Sequence, residues 1–238
     1  MYAEQPQTIL PSLALASAIA AGLVGITVAL IFFVAPTEAT MGDVQRIVYL
    51  HVAVAWFGLL SMLVASATGA MYLATRRLDY DHWSHAATEV GSLCAALTLI
   101  TGSMWAHEAW GTWWTWEPRL TTSLVMWMMY AGLLLIRSSV DDPHRRARVC
   151  SVLAIICVCD VPLVLMATRW FRGVHPVAPE MDHTMRLVLL VAILSFSMLF
   201  ALLTIWRARQ LHRAERIGLS ELSSPPRTLR RSFATQSH

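Results

Sequence analysis

Lysine is absent from this chain: all 18 basic residues are arginine. Charge of either sign is scarce, at 14% of 238 residues, where a soluble domain carries about a quarter. Water is therefore not the only solvent. Cysteine is thin as well, with Cys94, Cys150, Cys157 and Cys159 and no pair separated by two residues. On a helix the Cys157 and Cys159 thiols point about 200° apart, so they neither chelate one metal nor close a disulfide. All four are read as small buried apolar residues. No glycine-rich nucleotide loop and no nucleophile–base constellation occurs, so ATP chemistry must come from elsewhere and the chain is not read as an enzyme. The net charge of +3 says little, because placement decides more than the sum, and nothing points to nucleic acid.

What is present is apolar sequence, 56% of the chain. It falls into six stretches, Leu13–Val34, Ile47–Thr75, Ala86–Ala106, Leu120–Ile136, Val149–Thr168 and Leu187–Trp206. A helix needs about 20 apolar residues to cross the hydrocarbon core, and only a helix or a closed barrel satisfies its backbone there. The stretches lack strand-like alternation, so the expected fold is all-α, with six transmembrane helices. The leader Met1–Pro11 carries Glu4 and no positive charge, which separates the first stretch from a signal peptide. The expected division is a membrane domain over 1–206 and a basic tail over 207–238, which extends the last helix and then becomes disordered around Ser223-Ser224-Pro225-Pro226. Such a tail also suits contact with anionic membrane lipid.

Alternating the connections puts thirteen arginines on the side of both termini and five on the other, these being Arg46, Arg119, Arg169, Arg172 and Arg186. The positive-inside bias predicts cytoplasmic termini. His51, His107, His175 and His183 then fall outside, at helix ends or in loops. Asp160 lies in the outer half of the fifth span just before Pro162, whose ring leaves a carbonyl without its helical donor. Structural and cavity-facing roles for this acid are equally open.

The second outer connection, Trp105 to Thr121, holds Trp105, Trp110, Trp113, Trp114 and Trp116, half of the chain's ten tryptophans. An interfacial belt would spread its indoles among many helix ends; the alternative is a platform for a large planar ligand. Trp110, Trp113, Trp114 and Glu117 follow helical spacing, which predicts one flat aromatic face along the membrane surface. Glu117-Pro118 suits the start of the fourth span. Arg119 either holds an anionic ligand group or reaches lipid phosphates.

The run Trp110-Gly111-Thr112-Trp113-Trp114-Thr115-Trp116-Glu117, followed by Arg119-Leu120-Thr121, resembles the WWD motif of bacterial haem-handling proteins, the CcmC, CcmF and CcsA families. Length, six spans and the Arg-Leu-Thr sequence are similar to CcmC, over about Leu13 to Trp206; Glu117-Pro118 departs from the usual Asp-Ala. Arg46 to Trp56 is similar to the CcmC stretch with its first essential histidine, here His51, and Arg169 to Pro176 to the loop with its second, here His175. A lone histidine at either place would be an ordinary polar residue. Together they suit haem iron, which takes axial nitrogen from neutral imidazole.

The resemblance implies a multi-pass protein of the bacterial inner membrane that binds haem b as cargo at the periplasmic face and serves c-type cytochrome biogenesis. His51 and His175 would ligate iron, with Trp110, Trp113, Trp114, Trp116 and Glu117 forming the platform. Arg46, Arg119 or Arg172 would pair with propionates. Its partners would be the haem chaperone CcmE, to which it could promote haem attachment, and the transporter subunits CcmA, CcmB and CcmD. The rivals are a haem lyase or synthase subunit of the same motif family, a permease with an aromatic gate, a b-type electron-transfer subunit and a haem-free scaffold.

Overall fold

The computed structural model describes residues 9–171, 175 and 181–223. Seven α-helices follow one another: α1 Ile9–Phe33, α2 Ile47–Thr75, α3 Leu78–Trp110, α4 Pro118–Ser139, α5 Pro143–Cys157, α6 Asp160–Trp170 and α7 His183–Ser223, with a 3-10 turn at Asp43–Arg46. All six expected apolar stretches lie in helices long and apolar enough to cross a membrane, and no strand occurs among the described residues. The polypeptide is all-α and polytopic.

Several helices outrun their apolar stretches. α3 has 33 residues, about 50 Å at 1.5 Å per residue, against a hydrocarbon core of about 30 Å. Its first turns carry Asp79 and Asp81 and its last turns the tryptophans, so both ends stand at or beyond the membrane surface. α7 runs for 41 residues, well past Trp206.

The fifth span is built from two helices. α5 ends at Cys157 and α6 begins at Asp160. Pro162 has no N–H for the Val158 carbonyl, which takes the Val161 N–H at 3.1 Å instead. Cys157 and Cys159 flank this break; Cys157 is buried and Cys159 exposed. The expectation of four buried thiols is thus corrected at Cys159, since a face opposite a packed residue is turned away from the bundle. α5 starts conventionally: Asp142 accepts the Arg145 N–H at 2.6 Å, ahead of Pro143 at the first helical position.

The bundle closes around α2, which packs on α3, α5 and α7. Tyr130 of α4 is wholly buried and donates its hydroxyl to the Gly58 carbonyl of α2 at 2.7 Å. Gly91 of α3 makes room for that ring; a β-carbon there would overlap the Tyr130 hydroxyl and ring. Near the start of α3, Asp81 takes both terminal nitrogens of Arg137 from α4 at 2.8 and 2.9 Å, with side-chain exposures of 4% and 5%. α1 lies mainly against α7, where the Thr27 and Ser195 hydroxyls meet at 2.8 Å.

Candidate functional site

Where α2 begins, α3 ends and α4 begins, the helix ends enclose a cavity. His51, Trp105, Trp110, Trp114, Arg119 and His175 line its polar and aromatic part. Val52, Leu59, Leu99, Leu120, Met126 and Val164 line the apolar remainder. The two histidines, distant in sequence, therefore face one space. Near it, Val48 of α2 packs with Met181, Met185 and Trp105.

His51 is one turn into α2. Its Nδ1 lies 3.0 Å from Thr101 Oγ1, and Thr101 gives its hydroxyl proton to the Leu97 carbonyl at 2.7 Å. The Thr101 oxygen can then only accept from the ring, so a neutral His51 carries its proton on Nδ1 and a lone pair on Nε2. Gly102 brings the α3 backbone close: a β-carbon there would sit 3.0 Å from His51 Cε1.

His175 is held from a different direction. Its backbone N–H donates to Glu117 Oε2 at 3.0 Å, and its ring lies 6.4 Å from Trp105 and 6.3 Å from Trp110 between centroids. Trp105 and Trp110 themselves meet edge to face at 5.0 Å. Glu117 is buried and is the extended residue before α4. It acts here as a tether for the His175 backbone.

The predicted helical aromatic face is not formed. α3 stops at Trp110 because Gly111 takes φ 70°, and its N–H returns to the His107 carbonyl, the left-handed ending that glycine favours. Residues 112–117 are not helical, so their spacing no longer sets a common face. Trp114 turns into the cavity lining. Trp113 is 59% exposed and stacks on His107 at 4.2 Å; Trp116 is 77% exposed, edge-on to Trp114. The loop thus has an inner and an outer set of indoles.

Of the candidate arginines, Arg119 reaches the cavity. Arg46 instead binds the Ile31 and Ala35 carbonyls, Thr37 and Asp43, closing the end of α1, whose last carbonyls lack helical donors. Arg172 lies outside the described residues. His107 pairs with Glu108 and His183 is exposed at the start of α7. Asp160 is buried with Oδ2 unpartnered among the described residues.

Thr101 and Gly102, which line or support the cavity beside Trp105, are not among the residues the sequence singles out. They and Thr98 share one face of α3 at helical spacing, so a polar and small stripe on an otherwise apolar span is the signal that marks them.

The family model described as Heme exporter protein C matches residues 2–221. The chain is 32% identical to Heme exporter protein C of Bradyrhizobium diazoefficiens over 176 residues, 71% of this chain and 67% of that one. It is 32% identical to Heme exporter protein C of Escherichia coli K12 over 188 residues, 76% and 75% of the two chains. A "Putative cytochrome c biosynthesis ccmC-like mitochondrial protein" of Marchantia polymorpha is 29% identical over 153 residues, 64% of each. With its six spans and its tryptophan-lined cavity, the chain belongs to the Heme exporter protein C family.

Proposed function

We propose that the cavity receives haem as cargo, with His51 and His175 as the axial ligands, and presents it for c-type cytochrome biogenesis. The observation that carries this reading is the convergence of two imidazoles and three indoles on one largely apolar space that Arg119 also reaches. Haem iron takes neutral imidazole nitrogen, and the Thr101 contact sets His51 up to offer Nε2. Second-shell partners of this kind commonly orient metal-binding histidines.

The donor set also suits the porphyrin's edge. Trp105 and Trp114 each carry a buried indole N–H without a partner among the described residues. Arg119 stands in the first turn of α4, where the positive end of the helix dipole favours an anion such as a propionate. The outer indoles, Trp113 and Trp116, would remain for a partner. On this reading the site faces the periplasm, as the arginine distribution implies. The partner that collects haem is the chaperone CcmE, and the transporter subunits CcmA, CcmB and CcmD associate with the chain in the inner membrane.

Visible absorption of the purified protein tests the proposal. Wild type should show a Soret band, and His51→Ala and His175→Ala should each shift it or lower the haem-to-protein ratio at least tenfold. A full, unshifted band in both variants would sink the ligand assignment.

A further inference from the structure

At the end of the bundle away from the cavity, α3 and the extension of α7 place four metal-ligating side chains face to face. Asp79 and His82 sit three residues apart on α3, and His212 and Glu215 three apart on α7, so each pair shares a helix face. Both contacts cross between the helices: His212 Nδ1 lies 3.1 Å from Asp79 Oδ1, and His82 Nε2 lies 3.3 Å from Glu215 Oε2. The two imidazoles meet edge to face at 5.6 Å. One ligand atom from each of Asp79, His82 and His212 falls within 4.8 Å of the other two. Arg77 takes only Oδ2 of Asp79, at 3.0 Å, which leaves Oδ1 facing His212.

We infer that Asp79, His82, His212 and Glu215 form a site for one divalent transition cation, zinc in the first instance. Tetrahedral zinc binds nitrogen and oxygen at about 2.0–2.1 Å, which separates neighbouring donors by about 3.3 Å. The two cross-helix contacts already have that spacing; among Asp79, His82 and His212 the remaining separations need to close by at most about 1.5 Å, and Glu215 joins from its contact with His82. Carboxylate and histidine three residues apart on facing helices is a recurrent way of building metal sites in bundles. Two imidazoles with two carboxylates favour zinc and its neighbours over magnesium or calcium, which prefer oxygen alone. The bland alternative is a pair of surface ion pairs, worth little. Neutral rings can also make both contacts by donating one N–H each to a carboxylate; what such pairs do not require is the gathering of donors from three residues around one point, which a shared cation does. Bound metal would fasten the α7 extension to the start of α3.

The test uses the full chain, purified in detergent without a histidine tag, stripped with chelator and titrated with Zn2+ alone. Wild type should bind one equivalent, retained by His51→Ala/His175→Ala and lost in His82→Ala/His212→Ala. Failure of wild type to bind, loss on changing His51 and His175 instead, or retention in His82→Ala/His212→Ala would overturn the site. Should the last variant lose its helical circular dichroism, the nearly isosteric Asp79→Asn/Glu215→Gln decides: affinity at least tenfold weaker supports the site, and unchanged affinity refutes it.

Discussion

Glu117 Oε2 accepts the backbone N–H of His175 across 58 residues of sequence. One carboxylate at the mouth of α4 therefore fixes where the second imidazole stands. A hydrogen bond to a charged group contributes about 1.5–3 kcal/mol, so Glu117→Ala should weaken haem retention by roughly 10- to 100-fold. Glu117→Gln, which still accepts, should lose less. Equilibrium haem titration of the three proteins checks this; equal affinities would leave Glu117 without that role.

Thr101 should matter through His51. Thr101→Val keeps the shape and removes the oxygen that holds Nδ1–H, and losing such a second-shell partner typically costs about 10- to 100-fold in metal affinity. Thr101→Ser should stay close to wild type. The haem titration and the Soret position read the difference.

The inner and outer indoles should separate experimentally. Trp114→Ala, within the cavity wall, should weaken haem binding about tenfold, on the order of the ~1.4 kcal/mol expected of an aromatic contact. Trp116→Ala, at 77% exposure, should leave haem binding unchanged and slow transfer to a haem-accepting chaperone. A Trp116 variant with less bound haem would contradict this division.

Packing at Gly91 predicts a stability defect away from the tryptophan-lined cavity. Gly91→Ala drives a methyl into Tyr130, an overpacking that costs about 1–3 kcal/mol. Tyr130→Phe loses the bond to Gly58 at about 1 kcal/mol. Because removing the hydroxyl also relieves part of the overlap, the double variant should be less unstable than the sum. Thermal unfolding in detergent measures all three.

Asp81 and Arg137 make the corresponding electrostatic case. Asp81→Ala leaves a buried guanidinium without its partner and should cost about 3–5 kcal/mol, while Asp81→Leu/Arg137→Met should recover most of that loss. Folded yield and Tm of the single and double variants are the readout.

Hydropathy alone made the six spans legible, because a membrane demands long uninterrupted apolar helices and little else. It also put His51 one turn inside α2. The shape of the tryptophan loop was not legible from spacing: Trp110 to Glu117 has helical periodicity, but Gly111 at φ 70° ends α3 and cancels it. The tether from Glu117 to His175 is a long-range contact that no local pattern encodes. Arg46 reads from sequence as a free cation beside the site, yet its hydrogen bonds go to the end of α1. The gap between α5 and α6 was half visible, as Pro162 announced a missing donor without telling which residues would leave the helix.

α7 is one uninterrupted rod of 41 residues, roughly 60 Å long. Met185, two residues past its first, packs with Val48 of the cavity wall, and its distal half carries Arg207, locked to Glu89. With no joint between them, the far end cannot tilt or turn unless the helix bends or Met185 moves too. Whatever grips the tail thereby holds one corner of the chamber on the opposite face.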